Sequence, residues 1–162
     1  MRAYFFVNSW LSGIQKGIQV AHCVAEMADS AMVVESWAHD KAAREANPER
    51  INAHDIYCDW INDKTIIVLE GGSHKDLKEI AGFFEPFAQV SGALINPYPW
   101  KSFSEDEESL GGAMTCVGII VPPKIYEAAK AYGLSSPYRN DVNLTSWELK
   151  LIDLINSKEL AR

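Results

Sequence analysis

The stretch "YFFVNSWLSGIQKGIQVAH", Tyr4 to His22, joins a β-forming aromatic run to a helical repeat across a short polar turn. Arg2 to Asn8 is rich in residues that favour a pleated, half-buried surface, and Asn8-Ser9 ends it, so it reads as a first strand. Helical periodicity begins after Ser12-Gly13 and continues to about Ser36 or Trp37. The phrase Gly-Ile-Gln occurs twice in the first turns of that helix. A strand leading directly into a long helix is the opening of an α/β domain.

At about 100° per residue, one half of the helical wheel takes Ile14, Ile18, Val20, Ala21, Val24, Ala25, Met27, Ala28 and Ala31 without a charge. The other half takes Gln15, Lys16, Gln19, His22, Cys23, Glu26 and Asp29. The expectation is that the isoleucines face the core and the glutamines line up with His22. A solvated face explains such a polar half. A pocket wall explains it too, since Gln15 and Gln19 can donate and accept, and Lys16 near a helix start can meet an anion.

Further along, "KTIIVLE" (64–70) is a near-continuous apolar strand, as expected when both faces of a sheet are covered. Gly71-Gly72 turns the chain, and Ser73 is an N-cap with Asp76 three residues on, opening a helix to about Ala88. "QVSGALINPYP" (89–99) is read as a third strand and "WKSFSEDEESLGG" (100–112) as a polar loop. "AMTCVGIIVP" (113–122) is a strongly apolar strand, and "KIYEAAKAYG" (124–133) a helix closed by Gly133. The tail from Leu144 to Leu160 has the spacing of an amphipathic helix. Ala38 to Cys58 is a helical or irregular excursion, with Pro48 breaking it.

The order predicts one domain over 1–162: three layers, a mixed sheet of about four strands with helices on both faces, and a C-terminal helical extension from about 141. The length, 162 residues, suits one core. No apolar run reaches the ~20 residues of a membrane span. Three scattered cysteines and no secretory leader imply reduced thiols and a cytoplasmic setting. The net charge of −7 disfavours a protein that grips a long phosphate backbone, tRNA included, and leaves room for a small anionic ligand.

The strand "YFFVN", the Leu-Ser-Gly turn and the helix carrying Gln19-x-x-His22 together resemble the start of the type 2 peptidyl-tRNA hydrolase family. Looser matches are Trp37, the strand "KTIIVLE", the helix "HKDLKEIAGFF" and the strand "TCVGIIVP", in the family's element order from Arg2 to Pro123. The resemblance implies that fold, with Gln19 and His22 as positioning groups. It also implies Lys16 as a phosphate contact and Thr115 or Asp106 as groups that orient water. Gln15 stands where the family has its motif lysine. The chain is closer to the phage-borne relatives of the fold, for which capture or cleavage of a signalling nucleotide is the implied role.

Candidate catalytic residues are therefore His22, Thr115 and Asp106, and candidate ligand contacts are Gln15, Lys16, Gln19, Trp10, Trp100 and Phe103. Trp10, Trp100 and Phe103 are read as loop aromatics that could stack a base, worth ~1–3 kcal/mol each. In the acidic run Glu105 to Glu108, one member beside Thr115 would serve as a base or a ribose-binding acid. No cofactor is expected, and no metal, since consecutive acids and the lone pair His54-x-x-x-Cys58 do not match ligand sets. Three functions stay open: binding or phosphodiester cleavage of a small nucleotide, hydrolysis of peptidyl-tRNA, and self-association, for instance a homodimer built on the Trp147 helix.

Overall fold

A computed structural model describes residues 1–38, 48–85, 98–131 and 143–162. Their elements are β1 (Arg2–Asn8), α1 (Gly13–Ala38), α2 (Pro48–Asp63), β2 (Ile66–Gly72), α3 (His74–Phe84), β3 (Trp100–Ser104), α4 (Glu107–Leu110), β4 (Met114–Val121), α5 (Pro123–Lys130) and α6 (Ser146–Asn156). Four strands form one mixed sheet in the order β2-β1-β4-β3. β1 runs parallel to β2 and antiparallel to β4, which in turn runs antiparallel to β3.

Ala3 to Val7 are all buried, the signature of a strand covered on both faces. Successive side chains point to opposite faces, and Phe5 and Phe6 show what covers each. Phe5 lies over Gly118 beside Met27 of α1. The Phe6 ring sits 6.1 Å from Phe84 of α3. α1 and α3 therefore flank the sheet from opposite sides, and the expected three-layer α/β arrangement is present.

Local chemistry starts and stops the elements. Ser73 and Asp76 form a reciprocal capping box at the start of α3. α2 begins with Pro48, as suits a residue without an N–H in the first turn. Gly111 and Gly112 have φ of 59° and 67°, a turn that L side chains resist.

Three expectations are corrected. The stretch read as a polar loop holds a strand, Trp100–Ser104, while the strand read at 89–99 lies mostly outside the described residues. β3 pairs with β4 at the sheet edge, and its polar Lys101 and Ser102 are half-buried just as Trp100 and Phe103 are, so hydrophobic patterning gave no signal. α3 ends at Phe84, short of Ala88.

The third correction concerns the rotation of α1. Ile14 and Ile18 are 81% and 48% exposed, and Ala21 and Ala25 are exposed too. The buried stripe is Lys16, Gln19, Val20, Cys23 and Met27, at i, i+3, i+4, i+7 and i+11. The sheet end beneath it offers polar partners, and a buried polar group that is hydrogen-bonded costs little. A wheel sorted by hydropathy alone does not register those partners.

The tail helix packs within its own domain. The Trp147 ring stacks on Phe83 at 5.2 Å and its indole N–H donates to the Phe83 carbonyl, while Leu151, Ile152 and Ile155 are buried. Beyond it, Glu159 and Ala161 hydrogen-bond to Glu70 and Val68, laying a short segment along the outer edge of β2. That covers an edge which would otherwise present unpaired backbone groups.

Candidate functional site

The topology gathers the polar residues at one end of the sheet. Asn8 pairs with Gly72, Val7 with Cys116, and Ser104 with Met114. The carboxyl ends of β1, β2 and β3 therefore meet the amino end of β4. The N-terminal turns of α1 and α3 arrive at the same end. Crevices outside strand carboxyl ends are where open α/β sheets place ligands.

A chain of buried hydrogen bonds crosses this end. The Thr115 hydroxyl donates to Gln19 Oε1 at 2.7 Å, and Gln19 Nε2 donates to Glu105 Oε1 at 2.6 Å. Gln19 and Thr115 are 5% and 1% exposed, whereas Glu105 reaches the surface. The chain leads from a buried hydroxyl to a carboxylate within reach of solvent. One helical turn along α1, the exposed His22 ring stacks on Phe103, with centroids 4.5 Å apart and planes 10° apart. Cys23 completes the turn by donating its thiol proton to the Lys101 carbonyl at 3.2 Å.

Other predicted residues are engaged elsewhere. Lys16 is 6% exposed and held by Glu70 Oε1 at 2.5 Å, with the Arg162 carbonyl at 3.4 Å. Gln15 is exposed and caps α1, its Oε1 accepting from the Ser12 N–H and hydroxyl. Asp106 is exposed and caps α4, its Oδ1 accepting from the Ser109 N–H at 2.6 Å. The side-chain and backbone hydrogen bonds from Ser109 hold its carboxyl below the usual aspartate range. Trp10 stands 74% exposed in the loop after β1.

Trp100 and Phe103 are strand residues, not loop residues, and they part company. Trp100 pairs with Ile119 and turns to the α3 side, edge-on to Phe84 at 6.0 Å. Phe103, an odd number of residues on, faces α1. The structure thus brings together Gln19, His22, Phe103 and Thr115, and sets Gln15, Asp106 and Trp100 apart from them.

Glu105, Glu70 and His74 complete the neighbourhood. Glu105 is the member of the acidic run that meets Thr115, through Gln19. Glu70 was legible only as a charge closing an otherwise apolar strand before Gly71-Gly72. His74, at the start of α3, accepts the Met114 N–H on Nδ1 at 2.6 Å and anchors the residue before Thr115. Nothing in the pattern of the sequence marked it. Among the described residues, no group of three or more histidines, cysteines and acids is placed to hold a metal ion.

Burial would raise the Glu70 carboxyl, but hydrogen bonds from Lys16 and Ser9, the Lys16 charge and the Arg162 backbone together outweigh it and hold it below the ordinary value of about 4.5. A depressed folded value contributes stability above pH 4.5 that is lost as pH falls through the folded value. Unfolding followed by circular dichroism is therefore expected to show an acid limb below about pH 4.5 that shrinks in Lys16→Met. An unchanged limb in that variant would remove the pair from the account.

Comparison with protein-family models and with curated protein sequences gives no match to this chain.

Proposed function

We propose that the carboxyl end of the sheet binds a small nucleotide-type ligand. The observation that carries this reading is the stack of the exposed His22 ring on the half-buried Phe103, one helical turn from the Thr115–Gln19–Glu105 chain. An exposed ring backed by a second ring provides a face on which a base can stack, worth ~1–3 kcal/mol per base in nucleic-acid complexes. A carboxylate fixed by a buried amide is the group type that accepts from ribose hydroxyls. Trp10 adds a second exposed ring at the same end of the sheet. The peptidyl-tRNA hydrolase resemblance, with Gln19 and His22 on α1, agrees with a site here.

The charges refine the reading. The Lys16 charge is spent on Glu70, and Glu105 to Glu108 make the rim acidic. Recognition therefore rests on the base and sugar more than on phosphate, and affinity should vary little with salt.

Calorimetric titration against cyclic and linear adenine and guanine nucleotides is the test. Saturable heat is expected with at least one of them, weakened about tenfold or more in His22→Ala and in Glu105→Gln, in line with ~1–3 kcal/mol for each contact. Absence of heat across the panel would sink the proposal. Turnover of N-blocked aminoacyl-tRNA that His22→Ala abolishes would assign the same residues to ester cleavage instead.

A further inference from the structure

α2 carries a cluster that the candidate site does not use. His54 and Cys58 lie four residues apart, the spacing that sets two side chains side by side on a helix. Cys58 Sγ is 3.6 Å from His54 Nε2 and 3.9 Å from Nδ1. Asp55 Oδ1 is 3.5 Å from the same ring's Nδ1. Cys58 is half-buried; the His54 side chain is 13% exposed and that of Asp55 65%.

The other two thiols differ. Cys23 and Cys116 are fully buried, and burial, reinforced by Cys23 beside it, pushes the Cys116 thiol up. They have no accessible face. Two ligands do not make a zinc site, and no third metal-binding side chain joins His54 and Cys58 among the described residues. What the cluster does match is a nucleophile, a base and a group that orients the base.

We propose that Cys58 is a reactive thiol, activated by His54, that is modified by small disulfides through thiol–disulfide exchange. The His54 imidazole accepts the Cys58 proton, with the Asp55 carboxylate 3.5 Å from its Nδ1. The thiolate attacks one sulfur of the disulfide. The new Cys58–sulfur bond forms as the old S–S bond breaks, and the departing thiolate takes the proton back from His54. One disulfide is consumed and one mixed disulfide made, so no further oxidant is needed. The half-buried position of the sulfur suits a small reagent.

The test is incubation of the folded protein with glutathione disulfide, with adducts located and timed by mass spectrometry across pH 5 to 9. One adduct is expected, on Cys58, and none in Cys58→Ser. His54→Gln should slow it about tenfold or more at neutral pH and move the rate–pH profile toward that of an ordinary thiol, because one pKa unit is a tenfold change in thiolate fraction. Asp55→Asn should produce a smaller change in the same direction. Cys23 and Cys116 report on the fold, since they react only when the core opens. If they become labelled in His54→Gln, the exposed Asp55→Asn variant decides. An unchanged profile in the folded variants, or labelling of wild-type Cys23 and Cys116 as fast as Cys58, would overturn the proposal.

Discussion

Replacing Glu148 by alanine is expected to destabilise the domain by about 1.5–3 kcal/mol, the range for hydrogen bonds to a buried charge, since the Lys124 side chain is itself 45% exposed and keeps much of its hydration. The carboxylate is 3% exposed. One oxygen receives the Lys124 ammonium at 2.5 Å and the Tyr98 hydroxyl, and the other accepts the Thr145 N–H at 2.7 Å. Thr145 returns the contact by accepting the Glu148 N–H at 3.2 Å, closing a capping box at the start of α6. One residue thus ties α6 to α5 and to the chain before β3.

Burial alone would raise the Glu148 carboxyl, but Lys124, Tyr98 and the Thr145 N–H outweigh it, so it stays charged to lower pH than usual. Its stabilisation is present above the ordinary glutamate value and disappears as pH falls through the folded one. Chemical denaturation at pH 7 should show the full loss in Glu148→Ala. Near pH 3 the gap between variant and wild type should narrow. An equal gap at both pH values would mean that packing, not charge, sets the cost. Glu148→Gln keeps the shape and should lose less.

Gly118→Val is expected to cost about 3 kcal/mol or more, at the upper end of overpacking effects. A β-carbon built at Gly118 would sit 2.4 Å from Phe5 Cε1, 2.5 Å from Phe5 Cδ1 and 2.9 Å from Met27 Cε. Phe5 is fully buried on the central strand and has nowhere to move. The glycine is what lets an aromatic ring lie flat across β4 under α1. For a chain this long, such a loss lowers Tm by roughly 6–12 °C. Gly118→Ala combined with Phe5→Leu should be less destabilising than the sum of the two single changes by about 0.5–3 kcal/mol, because the smaller side chain vacates the space. Strict additivity would show that the clash is relieved by some other movement.

Both residues illustrate what could be read in advance. The strands at Arg2–Asn8 and Met114–Val121 were legible because their faces are covered on both sides and their residues are almost uniformly apolar. The start of α3 was legible because Ser73 and Asp76 satisfy each other within four residues. β3 was not, since a short edge strand whose polar and aromatic residues are alike half-buried carries no periodic signal. The partnership of Glu148 with Tyr98 and Lys124 spans separated segments and left no local trace.

The candidate site divides along the same line. Gln19, His22 and Thr115 were identifiable by residue type and by their resemblance to a helix motif, and α1 does bring Gln19 onto Thr115. Gln15 and Asp106, chosen on the same grounds, turn out to satisfy helix ends, the use that their positions beside Ser12 and Ser109 favour locally.

Local preference and hydrophobic amount were written in the sequence: where the apolar strands and the capped helix α3 begin, that one mixed sheet lies between helices, and which strand is buried on both sides. The rotation of α1 about its own axis was settled only by tertiary contacts. Lys16, Gln19 and Cys23 turn inward because Glu70, Thr115, Glu105 and the Lys101 carbonyl are waiting there. Ile14 and Ile18 are left in solvent as a result. A few exposed methyl groups cost less than burying polar side chains without partners or moving those partners away from the strand ends that carry them.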